Sequence, residues 1–234
     1  IIKCRTGVDV ALAADGERGD ITLALDPALQ GDEHYRIDVS RRGIAIAGST
    51  PTALFRAMMT MDQLLLGDVL ATGRDEMRPI YIDDAPRLGY RALMLDPARH
   101  FLPVRDVKFF IDQMAKYKYN VLQLHLTDDQ GWRIAIHSHP ELASEQHYTQ
   151  EELREIIGYA AQRHIEVVPE IDIPGHTVAI LAAYPELSCT HLKDDTVKVG
   201  HTTNRMVCAA NEQSYEVLAD VVREVASIFP SPYM

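Results

Sequence analysis

From residue 90 onward the sequence alternates short, nearly continuous apolar runs with longer amphipathic stretches, and that alternation restricts the chain to very few folds. The runs "YRALMLD" at 90–96, "NVLQLHL" at 120–126 and "IEVVPEID" at 165–172 suit parallel strands covered on both faces. Between the first two, Val107, Phe110, Ile111, Met114 and Ala115 form one stripe of a helix predicted over 104–118. Between the second and third, Thr149 and Glu152 have capping-box spacing and open a helix with Leu153, Ile156, Ile157, Ala160 and Ala161 facing inward. After the third run comes an excursion of about forty residues, long enough to suggest a functional loop, with a helical turn or two in "TVAILAAY". Asn211 then caps a last helix ending near Ile228, and "FPSPYM" begins a fourth strand. Such repeats build a parallel sheet, either open and doubly wound or closed as a (β/α)8 TIM barrel. Open nucleotide-binding sheets carry a glycine-rich turn after the first strand. Here that strand runs into "LDPARHF" without glycine, which favours the barrel.

The preceding residues have another texture. "ITLALD" at 21–26, "HYRIDVS" at 34–40 and "GIAIAGS" at 43–49 alternate apolar and polar positions, as strands with one buried face do, and "RRG" at 41–43 reads as a hairpin turn. Thr50 is placed to cap a helix with Pro51 at its first position and Gly67 as its stop. The charged, proline-bearing stretch 73–90 reads as a connection. The expected organisation is a small α+β domain over 1–83, then the first part of a barrel over 84–234, comprising three βα units and the start of the fourth strand.

Charge narrows the partners. With 34 Asp and Glu against 23 Lys and Arg, the net charge of -11 repels phosphate backbones and anionic lipid, so neither nucleic acid nor a membrane surface is an expected partner. No apolar run approaches the roughly 18 to 20 residues of a membrane span. The sequence opens on Ile1, so an upstream segment is expected to have been removed, and compartment is not directly readable. Cys189 and Cys208 bracket one long loop and could bridge, but with only Cys4 besides, unpaired thiols are the expectation.

In a barrel the site lies at the C-terminal ends of the strands. The first strand exit offers Asp96, Arg99 and His100; the second His125, Asp128, Asp129, Trp132 and Arg133; the third Glu170, Asp172 and His176. Two chemistries fit. His125, Asp128, Asp172 and His176 could hold a divalent metal for hydrolysis. Alternatively, without metal, Arg99 and the carboxylates bind hydroxyl groups, Trp132 offers an apolar face to a sugar ring, and an Asp and a His orient a carboxylic acid. His137 and His139 in "HSHPEL" are expected to be ordinary surface histidines, and His125 is as readily a satisfied core histidine as a site residue.

"RALMLDPARHF", "NVLQLHLTDDQGWR" and "VVPEIDIPGH", in this order and spacing, resemble glycoside hydrolase family 20, the β-N-acetylhexosaminidases. The resemblance runs from about residue 79 to the end, and the preceding α+β segment is similar to the small domain those enzymes carry. It implies hydrolysis of terminal, non-reducing β-linked N-acetylglucosamine or N-acetylgalactosamine with no metal or organic cofactor. The nucleophile is then the substrate's own acetamido oxygen, an exception to the scheme of two protein carboxylates. Arg99 matches the arginine that binds the ring hydroxyls, while Asp128 and His176 match a hydrogen-bonded pair that tunes the general acid. His125, Asp129, Trp132 and Glu170 complete the expected substrate-binding set, with Asp129 and Trp132 shaping the turn beneath the pocket. The family's acetamido-orienting Asp and acidic Glu belong to a fourth-strand segment not reached by Met234. This chain alone is accordingly expected to be an inactive piece or a carbohydrate-binding remnant, completed by the rest of the barrel from the same gene or a second chain. The family's polymer substrates imply a periplasmic or secreted setting.

Overall fold

The computed structural model describes residues 2–7, 9–13, 19–72, 77–189 and 206–234. Two compact units result, one of Ile1–Arg91 with Ala115–Lys118 and the other of Ala92–Met114 with Tyr119–Met234.

The first unit begins with a single helical turn, α1 (Ile2–Thr6), followed by strands β1 (Ile21–Leu25), β2 (Tyr35–Ser40) and β3 (Gly43–Gly48), helix α2 (Pro51–Thr72) and strand β4 (Ile80–Asp84). The sheet order is β1-β3-β2-β4, with β1 parallel to β3 and the other pairs antiparallel. Period-two alternation on β2 buries Tyr35, Ile37 and Val39, which pack with Ile46 against Ala53, Ala57 and Met61 of α2. The β2–β3 turn closes with Ser40 opposite Gly43, whose φ of 125° is a conformation side chains resist. Thr50 caps α2 through Oγ1, which accepts the Ala53 N–H at 3.1 Å.

Two expectations need correction here. Gly67 does not stop α2, which continues to Thr72; Gly67 is not among the glycines of positive φ, and an ordinary helical glycine weakens a helix without ending it. The stretch read as a connection contains β4, whose "IYIDD" pairs antiparallel with β2 and runs through Asp84. Its flanking charges and prolines masked a five-residue strand.

The second unit contains β5 (Ala92–Leu95), α3 (Val104–Lys116, whose last residues belong to the first unit), β6 (Val121–Asp128), β7 (Gly131–Trp132), α4 (Gln150–Ala161), β8 (Glu166–Ile171), α5 (Val178–Ala183) and α6 (Glu212–Ile228). Strands β5 and β8 flank β6 and both run parallel to it, the arrangement of successive strands in a barrel wall. Short β7 folds back antiparallel on the end of β6, with Asp128 opposite Gly131. On α3, Val107, Ile111 and Met114 are buried; on α4, Leu153, Ile156 and Ala160 are, whereas Ala161 is exposed. "FPSPYM" forms no ladder among the described residues, although Phe229 is buried. Cys189 and Cys208 are joined by a disulfide, correcting the expectation of free thiols. An antiparallel bridge between Ser188 and Val207, with the Cys208 N–H bonded to the Leu187 carbonyl at 2.8 Å, sets the two cysteines side by side.

The capping box is complete: Thr149 Oγ1 accepts the Glu152 N–H at 3.1 Å, and the Glu152 carboxylate accepts the Thr149 N–H at 2.8 Å. Thr149→Ala is expected to cost about 1 kcal/mol, seen as a lower urea midpoint at unchanged slope, with Thr149→Ser close to the parent.

Candidate functional site

The site forms where β5, β6 and β8 end. A strand alternates its faces, so His125 and Asp128, three apart, should point to opposite sides of β6. They do not, because the β6–β8 register shifts between His125, paired with Glu170, and Thr127, paired with Ile171. This bulge at Leu126 changes the phase of the strand and returns Asp128 to the side of His125. His125 Nε2 then lies 2.8 Å from Asp128 Oδ2.

Asp128 is 1% exposed, and both carboxylate oxygens are occupied. Oδ1 accepts the Asp129 N–H at 2.6 Å and faces His176 Nδ1 at 3.2 Å. Oδ2 faces His125 Nε2 and the Arg99 guanidinium, the latter at 2.6 Å. Burial is the largest influence on this carboxyl and pushes its pKa up. The Asp129 N–H, His125, Arg99 and His176 together outweigh it and hold the pKa below the ordinary value.

Arg99 comes from the loop after β5. Its backbone N–H and Nη1 both donate to the Asp96 carboxylate, at 3.0 and 2.5 Å. The loop itself is held from beneath by Arg133, a buried guanidinium donating to the carbonyls of Pro97 and Ala98 at 3.0 Å each and to that of Gln146 at 2.8 Å. Burial lowers the Arg133 pKa from its usual value, opposed by Tyr148 and Asp96. The Arg99 side chain remains 41% exposed, with two of its five side-chain donors spent on carboxylates and three available to a ligand.

His176 lies on the loop after β8, just past a cis Ile173–Pro174 peptide, and its φ of 55° is left-handed. Val207 ties this loop down: its N–H reaches the Pro174 carbonyl at 3.1 Å and Thr177 Oγ1 at 3.3 Å. Asp129 Oδ1 accepts the Val178 N–H at 3.1 Å where α5 begins. The His176 ring is 53% exposed; Nδ1 is engaged with Asp128 and Nε2 is left for a ligand or another segment.

The structure thus brings Arg99, Asp128 and His176 together, with His125 and Glu170 behind them. Asp129 is buried beneath the loop rather than lining it. Trp132 is 2% exposed, so its indole belongs to the core under the turn and is not placed to stack on a sugar. Asp172 sits beside the cluster, its N–H on Thr127 Oγ1 at 2.9 Å. His100 and His137 are exposed, whereas His139 is partly buried and engaged by Tyr184 at 3.0 Å and Asp220 at 3.3 Å, more tightly held than an ordinary surface histidine. Sequence reasoning gave no role to Arg133 or to Gln123, whose amide donates to Glu170 at 2.5 Å. The signal for Gln123 was its spacing of two from His125, which puts both on one face of β6.

Two triads, His125 with Glu170 and Asp172, and Asp128 with Asp172 and His176, bring ligand-type atoms within 4.8 Å of one another. The donor set fits a cation poorly. Asp128 Oδ2 already carries a guanidinium, and both His125 nitrogens face carboxylates, Asp128 at 2.8 Å and Glu170 Oε1 at 2.9 Å.

Two expected outcomes follow from these contacts. Arg133→Met should destabilise the protein by about 1–3 kcal/mol for each buried carbonyl it orphans, read by urea unfolding, with Arg133→Lys recovering part of the loss. Because the Asp128 pKa is depressed, its contribution to stability is complete above the unfolded value of about 3.9 and disappears as pH falls through the folded value. Asp128→Asn should therefore flatten the fall in urea midpoint on acidification below about pH 4 while lowering the midpoint at neutral pH.

A family model described as "Glycosyl hydrolase family 20, catalytic domain" matches residues 88–234, and one described as "Glycosyl hydrolase family 20, domain 2" matches residues 2–85. Among curated relatives, a beta-hexosaminidase of Akkermansia muciniphila is 40% identical over 222 aligned positions, covering 88% of this chain and 44% of that protein. One of Porphyromonas gingivalis is 36% identical over 254 aligned positions, covering 99% and 33%. Among solved structures, the Streptomyces plicatus N-acetyl-beta-hexosaminidase in complex with Thio-NAglucal superposes with a TM-score of 0.85 at 37% identity, covering 98% of this chain and 50% of that one. An exo beta-N-acetylglucosaminidase from Vibrio harveyi in complex with N-acetylglucosamine gives a TM-score of 0.78 at 34% identity, covering 92% and 37%. The chain spans a third to a half of the length of these relatives.

Proposed function

Because the chain belongs to glycosyl hydrolase family 20, we propose that its strand-end site is part of a pocket for a terminal β-linked N-acetylhexosamine, cleaved by substrate-assisted, retaining hydrolysis. The observation that carries this reading is the coupling of Arg99 and His176 through one buried carboxylate, Asp128. A forked donor for vicinal hydroxyls and an imidazole suited to steady an acid are thereby fixed relative to each other.

Arg99 turns its three uncommitted N–H donors to the ring hydroxyls. Asp128 holds the Nδ1 side of His176, so that Nε2 faces the glutamic acid which the family resemblance implies. That acid protonates the leaving glycosidic oxygen as the substrate's acetamido oxygen attacks the anomeric carbon. The resulting oxazolinium ion is opened by water, which adds at the same carbon and returns a proton to the carboxylate, so configuration is retained. Binding supplied by Arg99 and proton transfer steadied by Asp128 and His176 are separable contributions.

The intact protein is expected to release nitrophenol from a 4-nitrophenyl N-acetyl-β-glucosaminide but not from the matching β-glucoside, which has no acetamido group to attack. Arg99→Ala should lower kcat/KM by about 10- to 100-fold, the worth of a charged hydrogen bond, mainly through KM. His176→Ala should act mainly on kcat. Dialysis against a chelator should leave the rate unchanged; a loss restored by zinc would favour the metal-dependent reading.

A further inference from the structure

His125 is buried, and each ring nitrogen faces a carboxylate oxygen: Nε2 to Asp128 Oδ2 at 2.8 Å and Nδ1 to Glu170 Oε1 at 2.9 Å. A neutral imidazole has one N–H and one lone pair. In this position a neutral ring would set its lone pair against an anion on one side or the other. With both carboxylates ionised, only the doubly protonated ring turns an N–H to each of them.

The surroundings lean the same way. Glu170 stands opposite His125 on β8 and is itself held by Gln123. Asp96, from the end of β5, adds a field favouring positive charge on the ring, and Asp172 has a carboxylate oxygen within 4.8 Å of a His125 ring nitrogen. The formal cation nearby is Arg99, whose guanidinium shares Asp128 Oδ2 with His125, while His176 approaches Oδ1. Four carboxylates thus surround the ring against one guanidinium, with His176 as the remaining titratable group.

We propose that His125 is a positioning residue, a buried imidazolium clamped between Asp128 and Glu170 that fixes the Asp128 carboxylate so that Oδ1 remains aimed at His176. It touches no ligand, because its ring is covered; it acts through Asp128. Burial alone opposes charge on His125, but the bonds to Asp128 and Glu170 and the surrounding carboxylates outweigh it and raise its pKa. The charged form is therefore complete below the ordinary value of about 6.5 and is lost only as pH rises through the raised one.

Two measurements on the intact protein test this, and only the kinetic one rests on the hexosaminidase reading. Nitrogen-15 NMR of the His125 side chain should show both ring nitrogens protonated at pH values above the ordinary histidine pKa of about 6.5. A single neutral tautomer at neutral pH would overturn the proposal whether or not the protein cleaves sugars. Kinetically, Glu170→Gln removes one carboxylate from the ring, so the alkaline limb of kcat should move to lower pH. An unmoved limb in a folded, active Glu170→Gln protein would also overturn it. His125→Gln keeps a single donor and should lower kcat about tenfold or more, by loss of one charged hydrogen bond, with less effect on KM because Arg99 stays anchored by Asp96. A His125→Gln loss confined to KM would contradict the assigned role. Absence of turnover by the parent protein would count against the hexosaminidase reading alone, leaving the NMR result to decide the state of His125.

Discussion

A carboxylate withdrawn from water carries a desolvation penalty of several kcal/mol unless donors replace its lost hydration, and Asp128 is surrounded by four: a backbone N–H, two imidazoles and a guanidinium. These donors come from the three strand ends and the loops that follow them. Satisfying this one anion therefore fixes the relative positions of Arg99, His125 and His176. Removing any partner leaves the others facing an undercompensated charge, which couples the site's members beyond their pairwise contacts.

The supports beneath the cluster obey the same logic on neutral groups. Arg133 satisfies three carbonyls in the Arg99 loop and its neighbour, Asp129 satisfies an N–H where α5 begins, and Val207 satisfies the Pro174 carbonyl beside His176. Loops bear the exposed groups Arg99 and His176, but each is tied to the parallel strands or to the disulfide-linked segment at Cys208. A site assembled from loops thereby acquires the precision of the sheet.

Much of this was legible in the sequence because period and capping are local properties. The apolar runs of β5, β6 and β8, the Thr149–Glu152 box and the Asn211 cap all appear where their patterns placed them. Strand β4 was hidden because its neighbours are charged and proline-rich, and strand pairing is a tertiary matter that propensity does not encode. The Cys189–Cys208 bridge depended on a backbone pairing between segments distant in sequence. Trp132 looked like a sugar platform because a strand exit does not reveal which side of the turn is solvated; folding β7 back onto β6 put the indole inside. Arg133, read only as one of the residues at the second strand's exit, acts on carbonyls more than thirty positions earlier, a relation no local window contains.

The irregularity at Leu126 gives the segment "HLTD" an unusual dependence on backbone path. What unites His125 with Asp128 is the bulge between them, since strict pleating over the same number of residues would turn the acid, three positions on, to the opposite face of β6. Composition could drift at Leu126 among similar apolar residues without disturbing this contact, whereas a change that straightened the strand at constant length would separate the pair while leaving both side chains present. The contact at this point resides in backbone register, and a comparison of sequences by residue identity alone would overlook it.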